Sequence, residues 1–214
     1  MRIVPWMEPL FADRAAAGRV LAESLLGVEL DEPVVVAVAR GGVAVGAEVA
    51  RALRAPLTAV DVERVSAGGY RLGATTAAGP PYVGSVEDVS GEVAEAALAR
   101  ARHAAAELEA RLGLVPTAIG GRTALVVDDG LVTGVTLAAA CRWARAQPVA
   151  RVVAATPVAR VDGLVRVETE VDAVVCPHRL DDLAVVGQAY HSFDPLDEWY
   201  VGVLLAEAAG GRGA

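Results

Sequence analysis

The chain has 214 residues, of which 54% are hydrophobic and 21% charged, so it can bury a sizeable core and is not a disordered chain. Its net charge of −8 disfavours a general nucleic-acid binder, and its longest apolar runs are shorter than a membrane span. All 19 basic side chains are arginine. The chain therefore lacks the lysine of a GxxxxGK[ST] phosphate loop, of a Schiff-base enzyme and of a protein kinase.

The cysteines and histidines give no sign of a disulfide or a zinc site. Cys141 and Cys176 do not form a CxxC pair, and we expect both to be packing residues. No two histidines have zinc-ligand spacing. Acidic residues follow the N-terminus too early for a signal peptide. These observations together predict a cytoplasmic protein.

Short apolar runs alternate with helix-like segments along the chain. An apolar stripe predicts a helix over residues 11–26, with Arg14 and Arg19 away from that stripe. The run VVVAVA, Val34–Ala39, is typical of a strand buried on both faces of a parallel sheet. The remaining predicted elements are helix 43–53, strand 57–65, helix 90–112, strand Thr123–Val127, helix 135–146, strand 151–156, a weak helix, strand 172–176, strand 184–186 and a final helix. This alternation predicts an α/β fold with a doubly wound, mainly parallel sheet flanked by helices.

Residues 66–82 interrupt this alternation with a stretch rich in glycine, threonine and proline. Connectors of this length inside a compact domain are usually functional lids or disordered excursions, and both interpretations stay open. Part of the segment could pair as a short hairpin. As a lid, it would present Arg64 and Arg71 to a ligand.

The stretch ALVVDDGLVTGVTLAAA, residues 124–140, predicts a binding site at the end of a strand. Ligands of open parallel sheets bind at the carboxyl ends of the strands, where Asp128 and Asp129 lie. The residues that follow supply glycines, threonine hydroxyls and the first N–H groups of the next helix. These groups favour the binding of a phosphate. The acids suit sugar hydroxyls or a metal ion, so a sugar phosphate would satisfy both halves of the stretch.

The motif VVDDGLVTGVT resembles the ribose-5-phosphate signature of type I phosphoribosyltransferases. The segment VVAVARGGVAVGAEVARAL is similar to the first strand, pyrophosphate loop and helix of that fold. The segments FADRAAAGRVLAESL and VGQAYHSF resemble regions flanking the core in bacterial members of uncertain substrate. Together these segments cover most of the chain.

The resemblance implies a reaction and a set of site residues. The phosphoribosyl group would be transferred from phosphoribosyl pyrophosphate to a small-molecule acceptor, for which a nucleobase is the expected class. Mg²⁺ would assist the reaction, and pyrophosphate would be released. Catalysis would depend on Asp128, Asp129 and Arg40, and the two acids would bind the ribose hydroxyls directly or through Mg²⁺. The substrate-binding residues implied are Arg40, Gly41, Gly42, Arg64, Asp128, Asp129, Gly130, Thr133, Gly134, Val135 and Thr136.

The resemblance also implies an organisation and partners. We expect one domain over residues 1–214, with a core of about 32–178 and a hood built from about 1–31 and 179–214. Aromatic residues of the hood, with His191 between Tyr190 and Phe193, are candidates to line the acceptor pocket. A homo-oligomer is expected, and neither nucleic acid nor a membrane is expected as a partner.

Two positions depart from the family pattern. Glu63 lies where relatives commonly have a basic residue, and an acid there weakens pyrophosphate binding unless it turns away. Val132 stands where enzymes of this fold acting on hypoxanthine or guanine have a further aspartate. These departures favour an alternative, a non-catalytic regulator that keeps the sugar-phosphate site. A nucleotide-binding α/β enzyme of another class, such as a phosphohydrolase, is a third interpretation.

Overall fold

The computed structural model describes residues 8–84, 87–114 and 119–210. Six α-helices, ten strands and one 3-10 helix lie in these ranges. In chain order they are α1 (Arg14–Leu25), β1 (Val34–Ala39), α2 (Gly41–Leu53), β2 (Leu57–Asp61), β3 (Glu63–Ala67), β4 (Tyr70–Thr75), β5 (Tyr82–Val83), α3 (Gly91–Arg111), β6 (Thr123–Val127), α4 (Val135–Arg145), β7 (Arg151–Ala155), β8 (Val158–Arg160), α5 (Val161–Glu168), β9 (Ala173–Val175), β10 (His178–Leu180), the 3-10 helix (Val186–Ala189) and α6 (Glu198–Gly210).

Five parallel strands form the central sheet, in the order β2-β1-β6-β7-β9. The chain runs outward from β1 to β2 and then returns to β6 on the other side of β1. The strand order therefore reverses between β1 and β6. In open α/β sheets such a reversal leaves a crevice at the carboxyl ends of the two strands, where ligands bind.

Helices cover both faces of this sheet. Because side chains alternate along a strand, Val34 and Val36 pack with α4 and α5, whereas Val35 and Ala37 pack with α1, α2 and α6. The strands β1, β2 and β6 are almost fully buried, and their residues are apolar except Thr58, Asp61 and Thr123. The predicted doubly wound α/β fold is confirmed.

A second, antiparallel sheet of β3, β4 and β5, called the flap sheet here, stands beside the central sheet. Its apolar face packs on α3, with Val65 and Leu72 against Ala97 and Ala101. The expected hairpin in residues 66–82 is confirmed. The predicted strand 57–65 is wrong as one element. It is β2 and β3, because full burial in the central sheet gives way at residue 63 to the alternating burial of a strand packed on one face.

Three further elements differ from the sequence prediction. The helix predicted over 43–53 begins at Gly41, so Gly41 and Gly42 lie in the first turn of α2 rather than in a loop. The first helix begins at Arg14, because the Asp13 side chain caps it by accepting the Ala16 N–H at 2.7 Å. The predicted strand 184–186 is wrong. The amide oxygen of Gln188 accepts the N–H groups of Ala184 and Val185, which turns the chain into the 3-10 helix.

Cys141 and Cys176 are both buried free thiols, as expected for packing residues. No helix in the described ranges combines the length and the apolar character that crossing a bilayer requires.

We predict that Gly73→Ala destabilises the flap sheet. A Cβ atom at this position would lie 2.0 Å from the carbonyl oxygen of Tyr82 on β5, so the two strands must separate. Urea unfolding should show a loss of about 1–3 kcal/mol, typical of overpacking. Gly202→Ala is the control, because nothing lies within 4 Å of its Cβ position in α6. The control should be neutral or gain up to ~1 kcal/mol, and equal stability of the two variants would refute the clash.

Candidate active site

Asp128 and Asp129 follow β6 directly at the crevice, and both are largely shielded from solvent. Asp128 is 9% exposed, and one of its carboxylate oxygens accepts the N–H of Asp129 at 2.9 Å. Burial, reinforced by the neighbouring Asp129 charge, raises the pKa of Asp128 well above its usual range. Burial also raises the pKa of Asp129, while Arg14 opposes that change. Two acids in such a place need a cation or a hydroxylated ligand.

Arg14 supplies the cation from the first turn of α1. Its Nε donates to Asp129 Oδ2 at 2.8 Å, and its Nη1 donates to the carbonyl oxygen of Asp194 at 2.9 Å. Only 10% of its side chain and 13% of that of Asp129 are exposed, so the pair is little screened by water. The expectation that Arg14 lies away from the buried side of its helix is wrong. The side chain is buried because it pairs with Asp129, which lies 115 residues further along the chain and could not be identified from the helix pattern.

Two aromatic residues near the C-terminus hold the acid loop in place. The Tyr190 hydroxyl donates to the carbonyl oxygen of Asp129. The Arg14 guanidinium lies 3.8 Å above the Phe193 ring, which itself packs on Tyr190 with 4.8 Å between ring centroids. These contacts tie the VGQAYHSF segment to the acid loop. His191, named with them as an acceptor-pocket candidate, is exposed.

Residues 40–42, which are the N-cap and the first two residues of α2, lie against the loop that carries Asp128 and Asp129. A Cβ atom on Gly41 would fall 2.0 Å from Asp129 Oδ2, and one on Gly42 would fall 2.7 Å from the carbonyl oxygen of Val127. Only glycine permits this approach at either position. The peptide bond between Ala39 and Arg40 is cis. The tertiary structure thus brings the two predicted loops, 40–42 and 128–136, together at the point where the strand order reverses.

Residues 130–136 form a turn that is braced from one side. Leu131 exchanges backbone hydrogen bonds with the β8 segment, through Val158 O at 3.1 Å and Arg160 N at 2.9 Å. Gly134 has φ +74° and is the residue before α4, and a Cβ atom there would lie 2.3 Å from the carbonyl oxygen of Gly163. The turn leaves the first N–H groups of α4 without helical partners, as a phosphate site requires.

A cavity of about 430 Å³ lies beside this turn. It contains one acid, Asp162, and four arginines among its lining residues. Those residues are Arg64, Arg71, Leu72, Gly73, Tyr82, Thr133, Val135, Thr136, Arg160, Asp162 and Arg166. Predicted site residues from β3 and from residues 133–136 therefore share one cavity. Arg160 and Arg166 belong to it as well, and only the pairing of β8 with Leu131 reveals this.

The surroundings of Arg40 are acidic. Its side chain is half exposed, and Nη1 lies 3.9 Å from Glu198 Oε1. Asp61, which pairs in register with Ala39, is 3% exposed, and its Oδ2 has no hydrogen-bond partner among the described residues. Burial, followed by the charge of the nearby Glu63, raises the pKa of Asp61 to about 7. The charge of Glu63 therefore raises the pKa of a carboxyl group at the end of β2, next to residues 40–42.

Val132 takes no part in polar contacts with its side chain. It packs against a small apolar cluster that contains Phe11, Val158 and Tyr190. Its carbonyl oxygen faces Gly163, where a Cβ atom would lie only 2.3 Å away. The position where some family members have an aspartate is apolar here and closely packed.

The donor set at Asp128 and Asp129 fits a Mg²⁺ ion that is shared with a substrate. No group of three or more metal-ligating side chains occurs within residues 8–84, 87–114 and 119–210. Mg²⁺ usually binds through one or two carboxylates together with substrate phosphates and water, so a dedicated protein cage is not required. Each of the two carboxylates has one oxygen outside the hydrogen bonds described above.

Comparison with known proteins agrees with this geometry. Residues 12–192 match the family described as phosphoribosyl transferase domain. The chain belongs to this family. Two Mycobacterium tuberculosis proteins, of strains CDC 1551 / Oshkosh and H37Rv, are provisionally named phosphoribosyl transferases and are each 37% identical over 208 residues. That match covers 93% of this chain and 47% of each relative, so the chain spans about half the length of these curated relatives.

Solved structures show the same fold. The protein TT1426 from Thermus thermophilus is 34% identical, with a TM-score of 0.80 over 94% of this chain and 99% of that chain. A purine phosphoribosyltransferase from Pyrococcus horikoshii has a TM-score of 0.50 at 17% identity, over 89% of this chain and 99% of that chain. The second similarity concerns the fold alone. The type I phosphoribosyltransferase fold expected from the sequence is confirmed.

We predict that Arg14→Gln lowers the free energy of unfolding at pH 7 by about 3 kcal/mol, because it leaves the shielded Asp129 carboxylate without its cation. Chemical denaturation measures the loss. The matched control is Arg19→Gln in the same helix, where the guanidinium is 59% exposed and lies 3.8 Å from Glu48. That variant should lose less than about 1 kcal/mol. Equal losses would show that the Arg14–Asp129 pair contributes little.

We predict that Asp61→Asn removes a pH dependence of stability. The pKa of Asp61 is about 7 in the folded protein and about 3.9 when the chain is unfolded. The folded state holds the proton more tightly, so the wild-type protein loses stability as the pH rises from about 4 to above 7. The loss amounts to up to about 4 kcal/mol, which the variant avoids. Unfolding titrations across this range measure the difference, with the exposed Glu95→Gln as control. Parallel curves for wild type and Asp61→Asn would contradict the assignment.

Proposed function

We propose that this protein transfers the 5-phosphoribosyl group from phosphoribosyl pyrophosphate to a nucleobase, with Mg²⁺, and releases pyrophosphate. One observation carries the proposal. The loops after β1 and β6 touch where the strand order reverses, so that Gly41 and Gly42 lie directly against Asp128 and Asp129. A leaving-group site and a ribose site would thereby adjoin each other. Membership of the phosphoribosyl transferase family supports this activity.

In this proposal the donor lies along residues 128–136. Asp128 and Asp129 accept hydrogen bonds from the 2′- and 3′-hydroxyl groups of the ribose. The hydroxyls of Thr133 and Thr136 and the free N–H groups of α4 bind the 5′-phosphate, where the positive end of the helix dipole favours an anion. Gly130 and Gly134 keep the turn close to its bracing segments, since a Cβ atom at either position would meet neighbouring atoms within 2.5 Å.

The reaction would break the bond from C1′ to the pyrophosphate oxygen and form a bond from C1′ to a nitrogen of the base, which loses its proton to solvent. Positive charge then develops on the sugar ring while negative charge grows on the leaving pyrophosphate. Backbone N–H groups of Gly41 and Gly42, with the Arg40 guanidinium, would bind that growing charge. The remaining task is to hold donor and base in line, and the flap sheet would limit access of water to the ribose.

Asp128 and Asp129 would hold Mg²⁺ together with oxygen atoms of the substrate. When bound, the ion neutralises negative charge on the donor and helps to orient it. The Arg14 contact to Asp129 already fixes one carboxylate and leaves the other available.

A second candidate function is non-catalytic binding of phosphoribosyl pyrophosphate or a nucleotide by a regulator. The acidic surroundings of Arg40 favour it, since Glu198 lies 3.9 Å from that guanidinium and Asp61 is close by. The apolar Val132 favours it as well, because it cannot take a proton from a purine base. This candidate predicts binding of the donor without turnover.

Several finer expectations belong to the same proposal. The net charge of −8 supports a small-molecule acceptor rather than a nucleic acid as partner. A homo-oligomer in the cytoplasm, and a division into a core of about 32–178 with a hood from about 1–31 and 179–214, stay predictions from the sequence.

We predict pyrophosphate release from phosphoribosyl pyrophosphate when Mg²⁺ and a mixture of nucleobases are present, and none when the bases are omitted. Asp128→Asn and Asp129→Asn should each lower kcat/KM by roughly 10²–10³, the usual effect of removing a positioned polar group. A coupled pyrophosphate assay measures the rates. Calorimetry with phosphoribosyl pyrophosphate measures donor binding in the same samples.

The exposed Glu95→Gln is the matched control for loss of one carboxylate, and it should keep wild-type rates. Donor binding without pyrophosphate release would support the regulator instead. Absence of both binding and release would overturn both functions. Release of phosphate or sugar without any acceptor would point to a hydrolase.

A further inference from the structure

The cavity beside the 130–136 turn is larger and more basic than one phosphate group requires. Its volume of about 430 Å³ lies within the range of small-molecule pockets. Its arginines come from two separate parts of the fold. Arg64 and Arg71 come from the flap sheet, and Arg160 and Arg166 come from the β8–α5 segment. In a chain with a net charge of −8, this concentration of positive charge calls for a ligand.

Counting the charged partners leaves a surplus of positive charge. Arg160 pairs with Asp162, and that hydrogen bond lowers the pKa of Asp162 and keeps it ionised. Among the described residues, Arg166 donates to the carbonyl oxygen of Thr133 alone. Within the described ranges no carboxylate lies within 4.0 Å of the guanidinium groups of Arg64, Arg71 or Arg166. Three positive charges thus stay without an acidic partner. A phosphomonoester carries about −1.5 to −2 charges at pH 7, and the N–H groups of α4 already serve it.

The position of the cavity shows which part of the site the unpaired positive charges face. Its lining includes Thr133 and Thr136 but neither the 40–42 loop nor Asp128 and Asp129. The flap arginines therefore lie beside the proposed 5′-phosphate subsite, in a cavity that Arg40, Gly41 and Gly42 do not line. A second anionic group bound here would be separate from a pyrophosphate bound at those three residues. The acceptor is the other substrate, and it must approach the donor from outside the pyrophosphate loop.

We propose that this cavity holds a second anionic group next to the 5′-phosphate, and that the acceptor carries this group as a carboxylate or phosphate of its own. The proposal rests on the proposed function, since it names the class of acceptor. Arg71 binds the acceptor anion from the flap sheet. Arg160 binds it from β8 through its terminal nitrogens, because only its Nε is engaged by Asp162 among the described residues. Arg166 holds the 133–136 loop through Thr133, and Tyr82 offers a ring to a planar acceptor.

A binding experiment tests the subsite without requiring turnover. Inorganic phosphate is titrated by calorimetry into protein saturated with ribose 5-phosphate, using wild type, Arg71→Gln and Arg160→Gln. We expect phosphate to bind to the wild-type complex. Each substitution should weaken phosphate roughly tenfold or more, the effect of one charge-assisted hydrogen bond, and change ribose 5-phosphate affinity less than about threefold.

Two control variants identify where the phosphate binds. Arg100→Gln removes an exposed charge from α3, and it should leave both affinities unchanged. Arg40→Gln should also preserve phosphate binding, because Arg40 does not line the cavity. Three results overturn the subsite: no phosphate binding to the complex, loss of binding in Arg40→Gln alone, or equal weakening of phosphate and ribose 5-phosphate in Arg71→Gln and Arg160→Gln. The last result would mean that all the arginines serve the 5′-phosphate.

A kinetic experiment separates an acceptor anion from an independent ligand. Pyrophosphate release is compared for two matched pairs, uracil with orotate and nicotinamide with nicotinate, which differ by a carboxylate. We expect the anionic member to be the better acceptor. Arg160→Gln should raise its KM roughly tenfold with little change in the KM for phosphoribosyl pyrophosphate. Equal rates with the neutral and the anionic member, or no reaction with either, would contradict the assignment to the acceptor. If phosphate still binds to the cavity in that case, the cavity binds a separate anionic ligand.

Failure of the proposed function looks different. In that case neither ribose 5-phosphate nor phosphoribosyl pyrophosphate binds to the wild-type protein. Titration of phosphate alone, compared between wild type and Arg160→Gln, still decides whether the cavity binds an anion. A phosphate affinity that is the same in both proteins would overturn the subsite on its own.

Discussion

The ion pair between Arg14 and Asp129 is the contact on which the site depends. Two carboxylates at the end of a buried strand repel each other and lose hydration, which would normally exclude them from such a place. Arg14 offsets this cost from α1, and its second hydrogen bond to Asp194 ties the C-terminal region to the same point. Tyr190 and Phe193 complete the support. The ends of the described chain therefore act as the frame of the acid pair.

Close backbone contacts impose the second constraint. Four glycines allow backbone contacts that any side chain would prevent. Gly41 and Gly42 lie against the acid loop. Gly134 and Gly163 lie where the 130–136 turn meets α5. A site built this way is preorganised, because the loops have few alternative positions. The flap sheet, which packs on α3, adds Arg64 and Arg71 to the cavity beside the 130–136 turn.

Charge is distributed unevenly between the two sides of the site. Residues 40–42 lie among acids, with Glu198 near Arg40 and with Asp61 alongside, whose Oδ2 has no hydrogen-bond partner among the described residues. The cavity near the 133–136 turn has the opposite character, with four arginines and one acid. A ligand with more than one anionic group would be drawn to the basic side. The acidic side would bind pyrophosphate only weakly unless a cation accompanies it, which agrees with a role for Mg²⁺.

The sequence by itself determined the fold class, the strands β1 and β6, and the identity of the two loops at the reversal of strand order. It could do so because continuous apolar runs and a local pattern of acids, glycines and threonines depend only on neighbours in the chain. Only the tertiary structure decided the role of Arg14, the place of Arg160 and Arg166, and the split of residues 57–65 into strands of two sheets. These depend on contacts between residues far apart in sequence, such as the 115 positions between Arg14 and Asp129. Because helical periodicity places a charged residue on a face but does not reveal what that face meets, an arginine predicted to lie away from the core turned out to pair with one of the two acids.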